Sequence, residues 1–150
     1  MTPDDWLLLN RSVRFGDTDA AGVMHFPRLL NWCHEAYEES LERFGLAAAE
    51  IFPRPEQTPA VALPVVHCSA DYQRPLVCGD ALTIALRPER IDPTCFELHY
   101  GFSRSGEPVA QALTRHLAID SHSRRRCALP AGIQRWLEAS GLGRGVAPLP

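Results

Sequence analysis

The sequence has no lysine: all 15 of its basic residues are arginine. Schiff-base chemistry, a lysine general base and a P-loop lysine are therefore excluded, since each needs an ε-amine. No C-x-x-C pair occurs among its five cysteines, Cys33, Cys68, Cys78, Cys95 and Cys127. An odd, scattered set fits neither a zinc ribbon nor a secreted disulfide framework; it reads as small buried side chains in a reducing compartment. No apolar run approaches the ~20 residues of a membrane span, and the first residues lack the charged-then-apolar order of a signal peptide. A cytoplasmic location with no membrane partner is expected. Positive charge is not in excess either, 15 basic against 18 acidic residues giving a net charge of −3, which argues against a nucleic-acid partner. A G-x-S-x-G elbow is absent, so serine-hydrolase chemistry of that kind has no nucleophile.

What is present is the make-up of an ordinary folded domain, 150 residues with 45% hydrophobic and 22% charged. A chain of this length buries roughly 70% of its unfolded surface, enough for a core without metal or disulfide. One domain is expected over residues 1–140, followed by a Gly- and Pro-rich flexible tail at 141–150. Trp6 to Phe15 reads as a strand, with Val13 and Phe15 alternating against Arg14. From Pro27 the period changes: Leu29, Leu30, Cys33, Tyr37, Leu41 and Phe44 recur at helical steps, with Pro27 suited to the first turn and Gly45 to the stop. A proline-punctuated loop follows. Four strand-like runs come next, Val61 to Tyr72, Ala81 to Arg90, Cys95 to Ser103 and Val109 to Asp120, divided by Cys78-Gly79-Asp80, Asp92-Pro93 and Ser105-Gly106. Read as a meander closed by a short helix over Ile133 to Ala139, they make an α+β domain: one long helix on an antiparallel sheet of about five strands.

The segment from Asp17 to Pro27 lies between the first strand and the long helix. A helix N-terminus presents unpaired N–H groups and partial positive charge, which can polarise a carbonyl whose oxygen turns negative in a transition state. A carboxylate a few residues upstream could attack that carbonyl or activate water, and Gly22 would let a substrate approach the backbone. Spacing alone leaves a second reading open, in which an aspartate ahead of a helix is simply a cap.

The stretch Arg14-Phe15-Gly16-Asp17-Thr18-Asp19-Ala20-Ala21-Gly22-Val23-Met24-His25-Phe26-Pro27 resembles the opening motif of the 4-hydroxybenzoyl-CoA thioesterase family. Asp71-Tyr72-Gln73-Arg74-Pro75 followed by Gly79-Asp80 resembles that family's second strand and turn. More narrowly, Trp32-Cys33-His34-Glu35-Ala36-Tyr37-Glu38 and Ala62-Leu63-Pro64-Val65-Val66-His67 are similar to the members that hydrolyse 1,4-dihydroxy-2-naphthoyl-CoA in phylloquinone synthesis. The resemblance covers about residues 8 to 130. It implies a hotdog fold, a homo-oligomer built from sheet-paired dimers into a tetramer, an acyl-CoA substrate, and no metal or redox cofactor. It puts the catalytic carboxylate on Asp19, a turn-holding role on Asp17, and the oxyanion donor on the backbone near Phe26, with Gly22, His25 and Phe26 positioning the substrate. His25 and Phe26 depart from the aromatic pair common in the family, so the acyl pocket is expected to differ in shape.

Other residues have plainer explanations. Glu35, Glu38, Glu39 and Glu42 crowd a helix flank that reads as a solvated face, although a sister clade with a helix glutamate makes Glu35 or Glu39 the runner-up for catalysis. His34 and Glu38 stand four apart without a third metal ligand nearby. His67, His99, His116 and His122 read as residues of polar strand faces and turns. Arg124, Arg125 and Arg126 form the densest positive cluster, either a solubilising surface run or a site for coenzyme A phosphates, for which the guanidinium fork is suited. Two rivals to an aromatic acyl-CoA hydrolase stay open: a broad short- or aromatic-acyl-CoA thioesterase, and a non-catalytic acyl-thioester binding module on the same fold.

Overall fold

The structure is a computed structural model and describes residues 7–141; Trp6 and the tail beyond residue 141 lie outside the described residues. Strand β1 runs from Leu7 to Ser12 and stops earlier than its apolar pattern suggests. Phe15–Asp17 turns into a short 3-10 helix instead, and Phe15 is 85% exposed.

The long helix α1 spans Phe26–Phe44 with Pro27 in its first turn. It ends at Gly45, whose φ of 105° belongs to the left-handed region and whose N–H donates to the Leu41 and Glu42 carbonyls. A side chain there would strain the stop that glycine makes freely. The helix buries Leu29, Trp32, Cys33, Ala36, Tyr37, Leu41 and Phe44, one continuous apolar stripe. Leu30 sits only at its margin, partly buried against the core. A four-residue helix α2, Ala48–Ile51, then precedes the loop, in a stretch where no helix was expected.

The remaining strands are β2 (Val61–Ala62), β3 (Val65–Tyr72), β4 (Ala81–Asp92), β5 (Cys95–Arg104), β6 (Glu107–Leu117) and β7 (Ile119–Asp120), with helix α3 at Ala131–Ser140. The expected run from Val61 to Tyr72 is cut at Leu63-Pro64, where proline offers no N–H to a ladder. Its first piece pairs with β7 as a separate two-stranded sheet. The meander also needs correcting. Only β4, β5 and β6 follow one another; the five-stranded sheet has the order β1-β4-β5-β6-β3, so β3 lies at the far edge against β6. The register pairs Tyr72 with Ala110 and Val65 with His116.

The sheet's inner face meets α1 through Ile84, Leu86, Phe96, Leu98, Tyr100 and Phe102, all nearly inaccessible. A helix enclosed by an antiparallel sheet is the hotdog arrangement. His116 departs from its expected place on a polar strand face: it is 1% exposed, stacked 4.8 Å from Phe96, with Nε2 2.8 Å from Thr114 Oγ1. Burial pushes its pKa down to about 4, so it stays neutral in the core. Among the described residues no helix is long and apolar enough to cross a membrane.

Candidate active site

The link from β1 to α1 is held by a buried carboxylate. Asp17 Oδ2 accepts the Arg14 N–H at 2.9 Å, and Oδ1 accepts Arg28 Nε and Nη2 at 3.0 and 2.7 Å. Burial alone would raise the Asp17 pKa, but the Arg14 N–H and the Arg28 guanidinium outweigh it and hold the carboxyl below its ordinary value. Arg28 lies in the first turn of α1, so this bond pins the helix start to the turn. Asp17 is therefore spoken for.

Asp19 is placed differently. Its N–H donates to the Val23 carbonyl at 2.9 Å, and its own carbonyl accepts the Gly22 N–H at 3.0 Å, closing a tight loop. Gly22 has a φ of 80°, which explains glycine at that corner. Asp19 Oδ1 accepts the Ala21 N–H at 2.8 Å, a local turn bond and not a helix cap. The cap position belongs to His25, which makes no side-chain capping bond.

Two contacts bring this loop against the end of β3 and the residues after it, and a third closes the loop on itself. The Met24 N–H donates to the Leu76 carbonyl at 2.8 Å, the His25 N–H to the Asp17 carbonyl at 2.8 Å, and the Tyr72 hydroxyl to the Phe26 carbonyl at 2.6 Å. Between them opens a cleft of about 480 Å³ lined by Asp19, Met24, Phe26, Tyr72, Arg74 and Leu76, among others. Phe26 is 70% exposed although it is apolar. Its N–H is the first of α1, and such N–H groups have no acceptor within their own helix. A carboxylate and a helix start thus share one hollow.

The other expected residues fall elsewhere. Gly22 and His25 shape the loop but do not line the cleft, and the His25 ring meets the Phe26 ring edge-on at 5.3 Å. Arg124, Arg125 and Arg126 are all exposed on the turn after β7, where Arg126 bridges back to Ile119. That turn adjoins the start of β3, whereas the cleft adjoins its end. An eight-residue strand separates them by roughly 23 Å. Glu35 pairs with Arg11 at 3.5 Å and Glu39 with Arg43 at 3.0 Å, and neither lines the cleft. His34 and Glu38 join no group of three metal-ligating side chains among the described residues; Glu89, Glu97 and His99 do, on the outer sheet face, but Arg115 already forks onto Glu97 at 2.8 and 2.7 Å. Tyr72 and Arg74 are polar residues of the cleft that the sequence did not single out as site residues, although the resembling motif Asp71 to Pro75 contains both.

The Thioesterase-like superfamily matches residues 13–137, and the chain belongs to that superfamily. A 1,4-dihydroxy-2-naphthoyl-CoA hydrolase of Prochlorococcus marinus (strain MIT 9303) is 60% identical over 147 residues, covering 96% of this chain and 97% of that protein. A solved structure from Prochlorococcus marinus MIT 9313 has 60% sequence identity and a TM-score of 0.87, covering 94% of this chain and all of the other. The crystal structure of a 1,4-dihydroxy-2-naphthoyl-CoA thioesterase from Synechocystis has a TM-score of 0.74 at 31% identity, covering 87% of this chain and 93% of that one.

Proposed function

We propose that this chain hydrolyses aromatic acyl-CoA thioesters, with 1,4-dihydroxy-2-naphthoyl-CoA as its substrate, in the cytoplasm as a step of phylloquinone synthesis. The observation that carries the proposal is the shared cleft: the Asp19 carboxylate and the opening residue of α1 line the same hollow. Asp19 supplies the nucleophile or the base toward the thioester carbonyl, and the Phe26 N–H meets the oxygen as it gains charge. Gly22 and His25 act on the substrate through the loop they shape. The names of the relatives support the naphthoyl group, and the exposed Phe26 and Tyr72 rings suit an aromatic acyl part.

The working unit is an oligomer. β3 is an eight-residue edge strand with seven exposed residues, among them Val65, Val66 and Tyr72 at 38–52% exposure, and carries no lysine or proline to discourage pairing. Even Cys68, whose cross-strand partner Thr114 is buried, stays exposed. Antiparallel pairing of two β3 edges continues the sheet about a two-fold axis perpendicular to it, which keeps both helices on one side. The end of β3 in one subunit then lies beside the start of β3 in the other, so the Asp19 cleft faces the partner's arginine turn across a strand spacing of ~4.8 Å. Arg124, Arg125 and Arg126 would hold coenzyme A phosphates in this way, and two such dimers make the tetramer. Light scattering that showed only a 16.7 kDa species would contradict it.

The test is thiol release across a panel of acyl-CoAs. Aromatic thioesters should give far higher kcat/KM than acetyl-CoA or palmitoyl-CoA; equal or better turnover of a straight chain would favour the broad thioesterase. In the same assay Arg125→Ala should raise KM more than it lowers kcat, because contacts remote from the thioester bind ground and transition states alike. The effect should shrink at high salt. An unchanged KM at low ionic strength would make the arginine turn a solubilising surface only.

A further inference from the structure

We propose that Tyr72 is a positioning residue for this thioesterase chemistry, its hydroxyl holding the Phe26 carbonyl so that the Phe26 N–H keeps its aim into the Asp19 cleft. The inference rests on the proposed function and adds a residue to it. Tyr72 closes β3 and Phe26 opens α1, 46 residues earlier in the chain. Among the described residues their 2.6 Å bond is the one side-chain tie between this strand's end and the helix start, and it falls on the residue that would meet the oxyanion.

The peptide geometry explains why the tie matters. The His25 carbonyl and the Phe26 N–H belong to one planar trans peptide, so they point in opposite directions. The His25 carbonyl accepts the Arg28 N–H at 2.9 Å and is thus turned along the helix. The Phe26 N–H therefore faces outward from the helix start, at a residue that lines the cleft. On the other side of the Phe26 α-carbon, the carbonyl serves the helix as acceptor for the Leu30 N–H, and the Tyr72 hydroxyl takes its remaining lone pair. The helical bond ties that peptide to α1 and the Tyr72 hydroxyl ties it to the end of β3, so the first peptide of the helix is held to the sheet as well as to its own helix. Backbone bonds from Met24 to Leu76 and from His25 to Asp17 secure the loop before it, but neither reaches the Phe26 carbonyl.

The hydroxyl is suited to a permanent donor role. Burial, and then the neighbouring Cys33, raise the Tyr72 pKa above its ordinary value, so the proton stays in place across the working range. Pro27 strengthens the requirement. It follows Phe26 and has no N–H of its own, so the Phe26 N–H has no neighbour at the next position to take its place as a donor.

Tyr72→Phe removes the hydroxyl and keeps the ring. kcat for an aromatic acyl-CoA should fall roughly tenfold, short of the ~10²-fold or more seen when an oxyanion donor is removed outright, while KM and the thermal midpoint stay near wild type. A lowered midpoint with full kcat would show a merely structural tie, and a raised KM with full kcat would mean that the hydroxyl serves substrate binding and not the amide; either overturns the proposal. Amide NMR provides a readout independent of turnover. The variant should shift and broaden the Phe26 amide signal and leave those in the middle of α1 alone, whereas an unperturbed Phe26 amide contradicts the inference. If Asp19→Asn stayed active, the role given to Asp19 in the proposed function would fall, and the Phe26 amide would still decide what Tyr72 does.

Discussion

Asp19→Asn should lower kcat by at least ~10²-fold, the low end for removing a general base, with KM and the thermal midpoint almost unchanged. Asparagine offers a side-chain oxygen that can accept the Ala21 N–H as Asp19 Oδ1 does, so the loop through Gly22 keeps its shape. What it lacks is the negative charge needed to attack a carbonyl or take a proton from water. Among the described residues no donor reaches the second Asp19 oxygen, so the charge is not engaged in holding structure. The capping reading predicts the opposite result, because asparagine and aspartate serve about equally as caps. Steady-state kinetics of the purified variant, with a melting curve alongside, separates the two. More than about a tenth of wild-type kcat would remove Asp19 from the chemistry.

The same substitution two residues earlier should act on folding. Asp17 is 6% exposed and accepts three hydrogen bonds, two of them from the Arg28 guanidinium. Asp17→Asn removes the charge from that set, which at 1.5–3 kcal/mol for a hydrogen bond to a charged group implies a loss of about 2 kcal/mol. In a chain of this length that corresponds to a thermal midpoint lower by roughly 4–8 °C. Acid should reveal the pair as well. Folding lowers the Asp17 pKa below 3.8, so its contribution is complete above the carboxylate range of the unfolded chain and disappears as pH falls from about 4 through the folded value. Wild type should therefore lose stability over that window more steeply than the Asn variant. Equal slopes, or an unchanged midpoint at pH 7, would mean that the Arg28 bond carries no net stability.

These two aspartates also show how far the sequence could be read. The Gly16 to Pro27 stretch marked a polar loop before a helix, and the resemblance divided it into a turn-holding Asp17 and a reacting Asp19. The bonds of Asp17 agree with the first role, and the second is what Asp19→Asn tests. The bounds of α1 were legible because Pro27 and Gly45 act locally, within one turn of the chain. Sheet order was not, because β3 and β4 are neighbours in sequence and could have paired; only the finished core puts β3 against β6. His116 sits in a strand of alternating pattern, and nothing in that pattern says that its ring stacks on Phe96 and not on solvent. Tyr72 was visible as a motif residue, yet its link to Phe26 spans 46 positions and exists only once sheet and helix have met. Contacts set within a turn can be read from residues; contacts set between elements require the fold.

Whether this cleft turns over a thioester or merely holds one can be measured directly. The direct measurement is release of coenzyme A thiol and free acid from 1,4-dihydroxy-2-naphthoyl-CoA by the purified protein, with ligand-induced stabilisation followed in the same sample. Many turnovers per subunit are expected, with thiol and acid appearing in equal amounts. Stabilisation by the acyl-CoA without thiol release would contradict this and make the protein a binding module on a thioesterase fold.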